Sequence, residues 1–98
     1  MNIVISGASS GVGFEAVLEL IGSGNHKIIA LARSEDKLYK LQEIAFALNP
    51  GCMLYTAKFD IVHDDYENGL IPFIREKIGH VDILINNAGS LVNKPFMQ

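Results

Sequence analysis

Four short apolar runs alternate with stretches in which apolar residues return every three or four positions. Ile3-Val4-Ile5 is apolar on consecutive residues, the pattern of a strand covered on both faces in a parallel sheet. After the small-residue stretch Ser6 to Gly13, residues Phe14, Val17, Leu18 and Ile21 fall at i, i+3, i+4 and i+7. They predict one helix stripe, ending near Gly22-Ser23-Gly24. Lys27 to Leu31 reads as the second strand. Ser34 is a candidate N-cap, with Glu35 and Asp36 in the first turn, where acids suit the helix dipole. Leu38, Leu41, Ala45 and Leu48 form the next buried stripe, stopped by Asn49-Pro50-Gly51. A third strand runs from about Cys52 to Phe59. A third helix falls within Asp64 to Ile78, with Leu70, Ile71, Ile74 and Ile78 facing inward. Pro72 has no N–H to donate inside a helix, so it favours a helix start close to itself. Val81 to Ile85 is the fourth strand, and from Gly89 the chain reads as a loop, with Pro95 placed to open a further helix.

The order is βαβαβαβ with helical connections, and right-handed crossovers make that a parallel, doubly wound α/β sheet. No repeat or linker divides the chain, so residues 1–98 are expected to be one domain. The pattern stops just after a strand, without a helix to cover it.

Composition narrows the class further. Apolar residues make up 49% and charged residues 19%, the balance of a globular chain. The formal net charge is −3, and no basic surplus exists to neutralise phosphates in number, which argues against a nucleic-acid partner. No apolar run reaches the roughly 18 residues of a membrane span. The start, Met1-Asn2-Ile3-Val4-Ile5, lacks the basic segment of a signal peptide, so a cytoplasmic location is expected. The single Cys52 precludes an intrachain disulfide and fits a reducing compartment. His26, His63 and His80 sit at turns without metal-ligand spacing, so no metal site is assigned. Mean hydropathy is +0.24 in a small chain, which implies apolar surface that normally packs on something else.

The candidate chemistry starts at the first βα turn, Ser6-Gly7-Ala8-Ser9-Ser10-Gly11-Val12-Gly13. Its glycines are spaced G-x-x-x-G-x-G. Glycines allow a tight turn and close backbone approach to a pyrophosphate, which a helix N-terminus then meets with free N–H groups. There is no Gly-Lys-Ser/Thr, which disfavours a triphosphate P-loop. No acid precedes Gly7 on the strand, which disfavours a methyltransferase.

The fourth strand and its turn, Val81-Asp82-Ile83-Leu84-Ile85-Asn86-Asn87-Ala88-Gly89, resemble the Asn-Asn-Ala-Gly segment of short-chain dehydrogenases/reductases. The Ser6–Gly13 turn resembles that family's Thr-Gly-x-x-x-Gly-x-Gly motif, with Ser6 in place of threonine. The resemblance covers the whole chain but only the family's N-terminal, cofactor-binding portion. It implies a Rossmann-like sheet in the order 3-2-1-4, truncated relative to a full member. Gly7, Ala8, Ser9, Ser10, Gly11, Val12 and Gly13 would then line the pyrophosphate and its ribose. Asp60 would accept from the adenine amine and the Ile61 N–H would bond the ring. Asn87, Ala88 and Gly89 would lie near the adenine-side ribose, while Asn86 would tie neighbouring strands together.

Arg33 bears on which cofactor fits. An acid about 20 residues past the glycines bonds the ribose 2′-OH and selects NAD. Here that position is Ala32, followed by Arg33, which is placed to meet a 2′-phosphate. Such a charge-assisted bond is worth about 1.5–3 kcal/mol. NADP is therefore expected over NAD. Many NADP-preferring members carry a second basic residue immediately before the middle glycine; here it is Ser10, which points to a moderate preference.

The resemblance also implies a catalytic serine and a Tyr-x-x-x-Lys, in which the lysine lowers the tyrosine pKa. Neither is found. Tyr39 is followed four residues on by Glu43, Tyr55 by Phe59 and Tyr66 by Leu70. No catalytic residue is assigned, and the isolated chain is expected to be inactive. The implied parent moves a hydride between NADP(H) and a carbonyl or alcohol substrate, and its family usually assembles as homo-oligomers through later helices, so this sequence leaves the oligomeric state open. The alternative is a stand-alone dinucleotide-binding or regulatory module.

Overall fold

In a computed structural model of the chain, residues 1–8, 11–60 and 64–86 are described. Strands β1 (Asn2–Ser6), β2 (Lys27–Ala32), β3 (Met53–Lys58) and β4 (Ile83–Asn86) alternate with helices α1 (Gly11–Ser23), α2 (Glu35–Leu48) and α3 (Ile71–Lys77). The strands form one sheet in the order β3-β2-β1-β4, and every pairing is parallel. The expected α/β class, Rossmann-like arrangement and strand order are those observed.

The consecutive apolar residues of β1 and β2 exist because both faces of the sheet are covered. On one face Ile3, Ile5, Ile28, Ala30, Ala32 and Leu54 pack with Val17 and Ile21 of α1 and Leu38, Leu41 and Ala45 of α2. On the other, Val4, Ile29, Leu31 and Phe59 pack with Leu70, Ile74 and Ile78 around α3. Each fully buried aliphatic side chain contributes about 1.5–3 kcal/mol of transfer free energy. Ser34 caps α2, its hydroxyl accepting from the Lys37 N–H at 3.5 Å.

Two expectations change in detail. Leu48, assigned to the buried stripe of α2, is 64% exposed. It is the last residue of α2, and the chain then turns back to begin β3 only at Met53, so the final turn outruns the sheet. The helix start near Pro72 is observed, with the proline in the first turn of α3, but winding begins earlier as a π-helical turn, Tyr66–Leu70. Proline offers no N–H and its ring crowds the carbonyl four residues back, which a wider turn relieves. The Asp65 carboxylate fastens the start of that turn, accepting from the N–H groups of Glu67 (2.9 Å) and Asn68 (3.3 Å).

At the amino end of the sheet a polar clamp joins β4 to β1. The Asn2 N–H donates to Asp82 Oδ2 at 2.8 Å, and the Asp82 N–H returns to the Asn2 carbonyl at 2.8 Å. Asn2 Nδ2 donates to the Ile78 carbonyl at 2.9 Å, and His80 Nε2 lies 3.3 Å from Asp82 Oδ1. The Asn2 N–H, with a smaller contribution from His80, holds the Asp82 carboxyl below its ordinary value. The folded state thus favours the carboxylate, and the unfolded chain binds more protons at low pH. The resulting stability is present above the ordinary carboxylate pKa of about 4 and is lost as pH falls through the lower folded value. Urea unfolding of Asp82→Asn should therefore show a shallower loss of stability below about pH 4 than the parent chain. Parallel losses in the two proteins would remove Asp82 from the clamp.

Candidate cofactor-binding site

The carboxyl ends of four parallel strands make one edge. β1 leads into Gly7, β2 into Arg33 and β3 into Phe59-Asp60, and β4 ends at Asn86. The chain runs outward from β1 through β2 to β3, then returns to the other side of β1 as β4. In open parallel sheets, ligands bind outside the carboxyl ends where the order reverses in this way.

The glycine turn is held close against the sheet. Gly7 has φ 65° and Gly11 φ 59°, the left-handed region in which a side chain is strained. Between them the Ala8 N–H donates to the Leu31 carbonyl at 3.1 Å, and Ala8 is fully buried, so the turn is pinned to β2. A Cβ built on Gly11 would meet nothing within 4 Å among the described residues. Conformation rather than crowding therefore calls for glycine here, and open space lies in front of it. The first turn of α1 carries no acidic residue, leaving the positive end of its dipole uncompensated by side chains. Gly13 is buried, while Val12 is 76% exposed beside the open space.

β2 and β3 deliver the other candidates to the same edge. Arg33 is exposed, follows the buried Ala32, and has no ion pair among the described residues. The Phe59 N–H donates to the Ala32 carbonyl at 2.9 Å, which holds the exit of β3 beside that of β2. Asp60 is half-buried; its N–H donates to Asp64 Oδ2 at 2.6 Å, and its carbonyl accepts from the Asp64 N–H at 2.8 Å. Of the residues predicted from sequence, Gly7, Ala8, Gly11, Val12, Gly13, Arg33 and Asp60 meet at this edge. Ser9, Ser10, Ile61, Asn87, Ala88 and Gly89 lie outside the described residues. One cation at the edge belongs to none of the sequence motifs. Lys58 ends β3, is exposed, and pairs in register with Ala32. Only the β2–β3 register places it there, and the sequence pattern does not contain that register.

The amino end of the sheet is different in character. A cavity of about 30 Å³ lies there, lined by residues including Ile21, His26, Asn49, Cys52 and Met53. It has room for a water molecule and none for a nucleotide. Burial pushes the Cys52 thiol up, away from the reactive thiolate form. Among the described residues no three His, Cys, Asp or Glu side chains are grouped to hold a metal ion. No described helix is long and apolar enough to cross a membrane.

A family model for the short chain dehydrogenases matches residues 1–98. The chain belongs to that family. It is 35% identical over 89 residues to a probable NADP-dependent dehydrogenase of Dichelobacter nodosus, covering 91% of this chain and 78% of that protein. It is 38% identical over 91 residues to an NADPH-dependent pterin aldehyde reductase of Arabidopsis thaliana, covering 92% of this chain and 36% of that one. Among solved structures, the L-sorbose reductase of Gluconobacter frateurii, complexed with NADPH and L-sorbose, superposes with a TM-score of 0.79 at 27% identity. That match covers 99% of this chain and 36% of the reductase. A short chain dehydrogenase structure from Shigella flexneri gives a TM-score of 0.80 at 28% identity, covering 92% of this chain and 40% of that one. Against the pterin aldehyde reductase and the Penicillium roqueforti short-chain dehydrogenase anuI, the chain spans about a third of the relative's length.

The left-handed Gly11 gives a direct check on the turn. Gly11→Ala should cost about 1 kcal/mol in urea unfolding, the left-handed penalty of about 1–2 kcal/mol being partly offset by a stiffer unfolded chain. Unchanged or increased stability would mean that the turn is not held in this conformation.

Proposed function

We propose that this chain is the NADP(H)-binding part of an oxidoreductase that transfers hydride between the nicotinamide and a carbonyl or alcohol substrate. The dinucleotide supplies the hydride chemistry when bound. The chain's own residues bind and orient it. Gly7 to Gly13, with the N-terminus of α1, receive the pyrophosphate; Asp60 and Ile61 read the adenine; Asn87, Ala88 and Gly89 close on the adenine-side ribose.

The open space at Gly11 and the left-handed backbone of the turn suit close approach of a phosphate. The single observation that carries the cofactor choice is Arg33. It is an exposed cation without an ion pair among the described residues, and it directly follows Ala32, where an acid would select NAD. The NADP and NADPH dependence named for the Dichelobacter and Arabidopsis relatives supports the same choice. The proton donor for the chemistry is not among these residues, because no Tyr-x-x-x-Lys occurs in the chain. The 98 residues are accordingly a binding unit without turnover of their own.

Fluorescence titration with NADPH and NADH tests this reading. The chain should bind NADPH more tightly, and Arg33→Gln should weaken NADPH by about tenfold or more while leaving NADH nearly unchanged. Equal affinity for both in the parent chain would refute the NADP assignment, and oxidation of NADPH with a carbonyl substrate would refute the lack of catalytic residues.

A further inference from the structure

The geometry points to Lys58 as a second specificity residue for the cofactor, a cation that pairs with Arg33 on the 2′-phosphate. The inference rests on the NADP reading above and adds to it a residue that none of the sequence motifs contains.

Lys58 stands directly opposite Ala32 in the parallel β2–β3 ladder. Side chains alternate between faces along a strand, and register partners share a face about 4.8 Å apart. Leu54, Thr56 and Lys58 therefore project to the same side. Leu54 packs in the cluster with α1 and α2, and Thr56 accepts a hydrogen bond from Gln42 of α2 at 2.7 Å, which fixes that side. Ala32 belongs to the same cluster. Lys58 thus rises beside Ala32 at the carboxyl edge, where the side chains under α2 have ended, and it is exposed. An acid at the position of Ala32 would reach the ribose 2′-oxygen. A lysine on the neighbouring strand, with a flexible four-carbon stem, commands the same point from one side, and Arg33 from the other.

Charge favours a second cation. A phosphate monoester carries about −1.5 to −2 at neutral pH. Glu35 and Asp36, in the first turn of α2, add negative charge close to Arg33. Ser10 offers no positive charge from the glycine turn. Lys58 has no ion pair among the described residues. Lys77, by contrast, is already occupied over the rings of Tyr55 and Phe73, at 5.8 and 6.0 Å.

The test is calorimetric binding of 2′,5′-ADP and 5′-AMP, which differ only in the 2′-phosphate, to the full chain and to Lys58→Gln, Lys58→Arg and Arg33→Gln. Lys58 is exposed, so circular dichroism should confirm an unchanged fold. Lys58→Gln should weaken 2′,5′-ADP by about five- to twentyfold and leave 5′-AMP within about twofold, and Lys58→Arg should retain most of the affinity. If Lys58→Gln binds 2′,5′-ADP like the parent while Arg33→Gln loses it, the role of Lys58 is refuted and the NADP reading stands. If the parent chain does not prefer 2′,5′-ADP over 5′-AMP, the NADP reading itself falls, and this inference with it.

Discussion

Everything at the candidate site depends on β1 being buried on both faces. Ile3, Val4 and Ile5 are between 0% and 1% exposed, the odd-numbered pair against α1 and α2 and Val4 against the α3 side. β1 also has both edges paired, to β2 on one side and β4 on the other. The chain adds β2 and β3 on one flank and comes back to the other for β4. That reversal opens the crevice at the carboxyl end of β1. The same edge collects the glycine turn, the exit of β2 and the exit of β3.

Two backbone bonds reference the edge to β2, and the Asp64 carboxylate adds a side-chain bond to the Asp60 N–H. Ala8 is tied to Leu31 and Phe59 to Ala32, so the turns after β1 and β3 are both referenced to β2. This leaves the cations at the exits of β2 and β3, Arg33 and Lys58, without an ion pair among the described residues. At the opposite edge the polar groups are engaged with one another: Asn2 with Asp82, Ile78 and His80, and the terminal amine with His26 Nδ1 at 3.3 Å. One end of the sheet is fastened shut and the other presents cations and open glycines. Under the proposed function, that asymmetry suits an anionic dinucleotide.

Much of this was legible in the sequence because period carries the signal. Consecutive apolar residues marked β1 and β2, and the 3–4 spacing of Val17, Ile21, Leu38, Leu41 and Ala45 marked the inner faces of α1 and α2. The glycine spacing and the Arg33 position located the edge, and Pro72 located the start of α3. Features that depend on the register between distant segments were not legible. The clamp of Asn2 on Asp82 joins residues 80 positions apart. The pairing of Lys58 with Ala32 needs the β2–β3 register, and the exposure of Leu48 needs the point at which the sheet ends under α2. The π-helical turn before Pro72 answers a local steric demand that a helical periodicity does not record.

The central claim is that the carboxyl edge of this sheet binds the cofactor, and amide chemical-shift mapping of the labelled chain with NADPH tests it most directly. The largest shifts should fall on Gly7, Ala8, Gly11 to Gly13, Arg33 and Asp60, with Asn2, Asn49 to Met53 and His80 at the far end undisturbed. Shifts concentrated around Gly24 to Lys27 and Asn49 to Met53, or no saturable shifts at all, would contradict the account.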